Sequence, residues 1–361
     1  MAPANEWSKV GGIAIWPISH IVGMINMPEP TPESIKENKP AYEVRPYHRN
    51  LTEWISGGIR IIPLFTIALI CNYFYPIADQ IQESTTAIET FMSGNRDPTM
   101  HGWLLKIAIR DLIVGLTACI GWQWTIMHSP VTRKLRPVKF NKEYQDAKHM
   151  PREIYYSIST ILCGTFWEAW IMFMYTQGYF GTWSIDIAAN WHKWAVMILT
   201  LPYWRDGYFY WCHRAMHHWD TERIPDIGKW LYNISHSVHH RSRNIQPWSG
   251  ISMHPIEGII YESACLLPLM FIHHPIMYNL VKIDLNYAAV LGHDGHEYPA
   301  HGDWFHYIHH VKVKGNYGSP NCPFDWLFGT VDNGDDILKG DIAANTLAYE
   351  EKIKNESVKY K

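Results

Sequence analysis

Residues 194–218 read WAVMILTLPYWRDGYFYWCHRAMHH. Trp194 to Trp204 is uncharged and largely apolar, Arg205-Asp206 breaks the run, and the stretch closes on His213-x3-His217-His218. An apolar segment able to enter a bilayer thus leads into side chains able to ligate a metal. Three further segments lie upstream: Ile61–Ala78, which has no charge, Leu112–Met127, and Ile154–Tyr175, interrupted by Glu168. A helix of about 20 residues spans the hydrocarbon core, so the four read as membrane helices. Nothing else in the chain has the bulk to bury four such segments inside a soluble protein. Pro255–His273 and Ile276–Gly292 are also apolar, but Glu257, Glu262, Lys282 and Asp284 interrupt them. They read as helices lying in or dipping into the interface.

Composition agrees. Of the 361 residues, 47% are hydrophobic and only 18% charged, and Trp (18) and Tyr (21) are abundant; both favour membrane–water interfaces. A mean hydropathy of -0.19 is too low for a chain that is membrane throughout. The net charge of -3 points away from nucleic acid. Cys71, Cys119, Cys163, Cys212 and Cys265 sit in or beside apolar runs without paired spacing, which argues against disulfides and against a CxxC zinc site. No basic start or cleavage site follows Met1, so no removable signal peptide is expected. Arg133, Lys134, Arg136, Lys139, Lys142, Lys148 and Arg152 crowd the loop after the second segment, whereas Gln177 to Trp194 carries only Lys193. By the positive-inside rule the basic loop is cytosolic, which places both termini and everything after about Trp204 on that side.

Histidine carries the chemistry. There are 21, most of them between His213 and His310 in four groups: His213-x3-His217-His218, His236-x2-His239-His240, His293-x2-His296 and His306-x2-His309-His310. On a helix, positions i, i+3 and i+4 share a face, so HxxHH is expected to aim three imidazoles at one point. Neutral imidazole suits iron, zinc, copper and nickel. A zinc site needs three or four ligands, whereas this many converging histidines would fill the shells of two ions. No repeated Glu-x-x-His of the carboxylate-bridged bundles accompanies them, so a histidine-only dimetal site is expected. His273-His274 match no group.

WCHRAMHH, HSVHH, the HDG at His293–Gly295 and HYIHH resemble the histidine boxes of the fatty acid hydroxylase/sterol desaturase superfamily. Asp206 with Tyr210-Trp211 is similar to the element preceding its first box, and His254-Pro255-x-Glu257 to its HP-x-E element. Asn316-Tyr317-Gly318 and Asp325–Thr330 resemble the turn and closing stretch after the last box. The resemblance covers about Leu201 to Gly334. Within it, HDG and NYG look most like the sterol carbon-5 desaturases. Two features depart from that subfamily: a short interval from His293 to His306, and no basic residue after His236.

The resemblance implies a metal set of His213, His217, His218, His236, His239, His240, His293, His296, His306, His309 and His310, with Asp206, His254, Glu257 and Asp294 near the site. With the four apolar segments and the charge of their loops, the expected fold is an all-α integral membrane bundle of about four transmembrane helices with a cytosolic helical cap. Its parts are an N-terminal cytosolic segment (1–58), transmembrane helices (59–200), a catalytic domain (201–334) and a C-terminal cytosolic tail (335–361). The resemblance implies two iron ions, dioxygen as co-substrate, and oxidation of a C–H bond of a lipid, foremost a sterol, by desaturation or hydroxylation. Fatty acyl or sphingoid hydroxylation and squalene epoxidation are the alternatives within the superfamily. The chain carries no dinucleotide fingerprint or haem domain, so electrons would come from cytochrome b5 or an equivalent and its reductase. The expected location is the endoplasmic reticulum membrane with the site facing the cytosol, and Asn50, Asn233 and Asn355, each in a sequon, would then carry no glycan. A histidine-rich metal transporter is the non-enzyme alternative, but it would place its ligands inside its spans.

Overall fold

The computed structural model describes residues 98–128, 149–176, 190–219, 224–269, 275–295, 303–319, 324–332 and 334. The expected first span Ile61–Ala78, the basic loop before Arg152, His273-His274, His296, segment 1–58 and the tail after 334 lie outside them. The described residues are helical, with no strand among them: α1 (Pro98–His128), α2 (Met150–Thr176), α3 (Trp191–Ala215), α4 (Ile227–Ile234), α5 (Pro255–Glu262), α6 (Leu266–Leu269), α7 (Pro275–Leu291), α8 (Asp303–Lys312) and α9 (Phe324–Leu327). Short 3-10 turns occupy His236–Arg241, Pro247–Gly250 and Ser263–Cys265.

Local chemistry sets several boundaries. The Asp226 carboxylate accepts from the Lys229 backbone N–H at 2.8 Å and caps α4, satisfying a donor that the helix itself leaves open. At α5, Pro255 occupies the first turn and the His254 ring accepts from the Ile256 N–H.

Helices α1, α2 and α3 contain 31, 27 and 25 residues, about 46, 40 and 38 Å at 1.5 Å per residue. They contain the expected second, third and fourth spans, and they have the length. Among the described residues, however, no helix is long and apolar enough to cross a membrane. The reason lies in how residues divide between faces. On α1 the buried positions are Ile107, Asp111, Gly115, Cys119 and Gln123, one per turn, while Leu105, Ile109, Ile113, Ile120 and Trp124 are exposed. On α2, Glu153, Ser157, Thr160, Gly164, Thr165 and Glu168 face inward, and Tyr155, Phe166 and Trp170 face out. Polar side chains lower the hydropathy of each helix but lie on its inner face.

Those inner faces are joined by ions. Arg110 on α1 donates to Glu168 on α2 at 2.5 Å, and Lys282 on α7 reaches Asp111 at 2.6 Å and Glu168 at 2.7 Å. Thr165 donates to Asp111 at 2.9 Å. Arg205 on α3 pairs with Asp206 and with Asp284 on α7. The charges that interrupt the apolar segments are thus the pairs that tie α1, α2, α3 and α7 together. Helix α2 packs against both α1 and α5, and α7 against the Pro247–Gly250 turn, so the histidine-bearing segments are held on a rigid scaffold.

Candidate metal centre

Nine histidines converge in two groups. His213, His217, His236, His240 and His309 form one; His239, His293, His306 and His310 form the other. Within each, the ring nitrogens lie within 4.8 Å of one another. Eight of the nine are buried, and His306 is partly so. The groups adjoin, the His240 ring of one lying 4.9 Å from His310 and 5.7 Å from His239 of the other.

The two HxxHH boxes each serve both groups, where their spacing predicts one point per box, whereas His213 and His217 of the first box stay in one group. On α8, His306 and His310 join one group and His309 the other; in the HSVHH turn, His236 and His240 part from His239. Adjacent helical residues project about 100° apart, so a His-His pair addresses two neighbouring centres more readily than one.

Backbone carbonyls and one carboxylate orient four of these rings. His213 Nδ1 donates to the Tyr317 carbonyl, His293 Nδ1 to that of Ala289 and His309 Nδ1 to that of Gly315, each at 2.6 Å. His236 Nδ1 lies 2.7 Å from Glu257 Oε1, both side chains fully buried. An oxygen acceptor on Nδ1 fixes the tautomer and leaves the Nε2 lone pair to face inward. Burial holds His236 down at about 3 and His239 at about 4, and lowers the other seven as well. All nine are therefore neutral at pH 7, the form that ligates metal.

The donor set fits a pair of cations. His293 Nε2 faces three other Nε2 atoms, of His306, His310 and His239, at 2.9, 3.0 and 3.3 Å. A single lone pair cannot satisfy three such neighbours by hydrogen bonding, whereas one cation satisfies all of them. Two imidazole nitrogens bound side by side at about 2.1 Å from an ion stand about 3 Å apart, the spacing seen here. His213 Nε2 is buried without a hydrogen-bond partner and points to the same conclusion.

One histidine of the expected set stands apart. His218 is outside both groups: its side chain is 49% exposed and lies 3.2 Å from Asp226, because it projects away from its neighbour His217. His296 lies outside the described residues. Of the expected near-site residues, Glu257 touches a ring of the cage, and Asp294 is buried and accepts from Trp122 Nε1 at 3.0 Å, fastening the third motif to α1. Asp206 pairs with Arg205, the residue that pins α3 to Asp284 on α7, and His254 caps α5 as described above.

Sequence reasoning missed Glu153. Buried at the start of α2, it accepts from Ser242 at 2.5 Å and Gln246 at 2.6 Å, anchoring the loop that leaves the second box. It also missed the carbonyls of Ala289, Gly315 and Tyr317, whose role carries no side-chain signature.

Two adjoining groups of neutral imidazoles on a helical scaffold thus form two sets of side chains that could each hold a metal ion. Residues 197–330 match the fatty acid hydroxylase family model, so the resemblance carried by the histidine boxes holds over that part of the chain. The chain is 30% identical over 127 residues to the Delta(7)-sterol-C5(6)-desaturase of Nicotiana tabacum, covering 34% of this chain and 44% of that one. It is 28% identical over 151 residues to the Delta(7)-sterol 5(6)-desaturase ERG3 of Saccharomyces cerevisiae, covering 40% and 39%. It is also 29% identical over 153 residues to the very-long-chain aldehyde decarbonylase GL1-11 of Oryza sativa subsp. indica, covering 38% and 54%. The chain spans about half the length of these relatives. No solved structure matches it.

Proposed function

We propose that this protein is a dioxygen-dependent membrane oxidase that holds two iron ions on its nine converging imidazoles and acts on a C–H bond of a lipid, specifically on the ring system of a sterol as a C5(6) desaturase. The observation that carries this reading is the division of nine neutral histidines into two adjoining groups whose Nε2 atoms face one another. When bound, a pair of irons supplies dioxygen activation and hydrogen abstraction from an unactivated C–H bond, chemistry beyond acid–base groups alone. The chain's own residues do the rest. Glu257 and the three carbonyls hold the protons on Nδ1, so the nitrogens facing inward stay unprotonated. Beside His213, Met216, Met253 and Tyr261 pack with Phe209, Leu231 and Ile260, an apolar wall that excludes water and suits a lipid.

The two sterol desaturase relatives support the substrate class. The exposed apolar faces of α1 and α2 support a membrane setting, since large apolar side chains turned outward and polar ones inward suit a lipid environment. Residence in the endoplasmic reticulum membrane, a cytosol-facing site and electrons from cytochrome b5 or an equivalent with its reductase belong to the same proposal. A second reading, decarbonylation of a very-long-chain aldehyde, is favoured by the rice relative. Iron analysis of the purified protein with lipid profiling of cells with and without it tests these readings. About two irons per chain and an accumulating sterol lacking the ring double bond are expected. Labile zinc or copper in place of iron would refute the oxidase; unchanged sterols with altered aldehydes would favour the second reading.

A further inference from the structure

We infer that Asp325 is a positioning residue for the five-histidine group, aiming His213 and His309 through two rigid peptide units. The inference rests on the dimetal reading above and deepens it.

His213 and His309 donate to the carbonyls of Tyr317 and Gly315, two residues apart in one turn. Both belong to the five-histidine group and neither to the other. A trans peptide is planar, with its C=O and N–H pointing in opposite directions. The direction of the Tyr317 carbonyl is therefore set by the Gly318 N–H in the same plane, and that N–H donates to Asp325 Oδ2 at 2.7 Å. Likewise the Gly315 carbonyl shares its plane with the Asn316 N–H, which donates to the Thr330 carbonyl at 2.8 Å. Thr330 is itself held by Asp325: its backbone N–H donates to the Asp325 carbonyl at 2.8 Å and its hydroxyl to Oδ1 at 2.7 Å. Oδ1 also accepts from the Tyr317 N–H at 2.8 Å.

One buried carboxylate thus governs both peptide planes. The turn needs such a lock, because Val313, Gly315 and Asn316 adopt positive φ of 58°, 75° and 51°, a region that L side chains enter only when their surroundings hold them there. At Gly318 a Cβ would stand 2.8 Å from Asp325 Oδ2, so the absent side chain is what allows the carboxylate to come so close.

The amide of an Asp325→Asn variant has one acceptor oxygen in place of two. That leaves without an acceptor either the Gly318 N–H that sets the Tyr317 carbonyl or the Thr330 hydroxyl that steadies the acceptor behind the Gly315 carbonyl. Cobalt(II) titration of the purified full chain against a competing chelator tests the inference, with the cobalt absorption bands as the spectroscopic readout. His309→Ala and His306→Ala mark the binding events of the five- and four-histidine groups. Asp325→Asn is expected to weaken the event lost in His309→Ala by about 10- to 100-fold, as outer hydrogen-bond partners of ligands typically do, and to shift its bands. The event lost in His306→Ala stays unchanged. If Asp325→Asn does not fold, Thr330→Val, which removes only the hydroxyl bond to Oδ1, should weaken the same event to a smaller degree. Wild-type affinity at both sites in a folded variant, or equal loss at both, would overturn the inference alone. Fewer than two cobalt ions on the wild-type chain would overturn the dimetal reading itself.

Discussion

Replacing Glu257 with alanine strands a buried donor. Glu257 Oε1 lies 2.7 Å from His236 Nδ1, and both side chains are 0% exposed, so no water takes over the bond. A buried N–H left without a partner costs about 1–3 kcal/mol. His236 can avoid that cost by moving its proton to Nε2, but Nε2 is the atom that faces His217 and His240, at 3.0 and 2.9 Å. Either way the metal-ligating form is disfavoured by the same order of energy. That corresponds to a loss in metal affinity of about 10- to 100-fold, the range found for carboxylates behind ligating histidines. Glu257→Gln keeps an acceptor of similar length without the charge, so its loss should be smaller. The assay is chelator competition on the purified protein, with the melting temperature of the metal-free chain measured alongside. Wild-type affinity in Glu257→Ala combined with a lowered metal-free melting temperature would mean that Glu257 acts only through packing, and the reasoning would fail.

His218→Ala should keep the full metal content while His217→Ala loses metal, measured by elemental analysis; metal loss in His218→Ala would mean that this half-exposed ring is a ligand after all. Lys282→Met should destabilise the protein by about 3–5 kcal/mol, because it removes one cation from a buried cluster and leaves Asp111 and Glu168 sharing Arg110; unchanged denaturant unfolding would show that the cluster contributes little. Asn233, on α4 just before the second box, should carry no glycan, and a glycosidase-sensitive mass shift mapped to it would contradict the cytosolic orientation.

Residue type and local spacing made much of this protein legible in its sequence. The helices containing Leu112–Met127, Ile154–Tyr175 and Trp194 onward follow from apolar runs that need no distant partner. The histidine boxes follow from short-range repetition of a side chain with one dominant chemistry. What lies beyond reach of a local pattern is pairing between segments. Arg110, Asp111, Glu168 and Lys282 look like interruptions when read along the chain, and become a buried ion cluster only when α1, α2 and α7 pack. The division of His309 from His310, and of His239 from His240, depends on where each ring meets rings from other elements. His217 and His218 are adjacent and identical in type, yet the fold buries one in the cage and leaves the other facing Asp226. The carbonyls of Ala289, Gly315 and Tyr317 are the extreme case: every residue has a carbonyl, so only backbone direction in the folded chain selects those that orient a ligand.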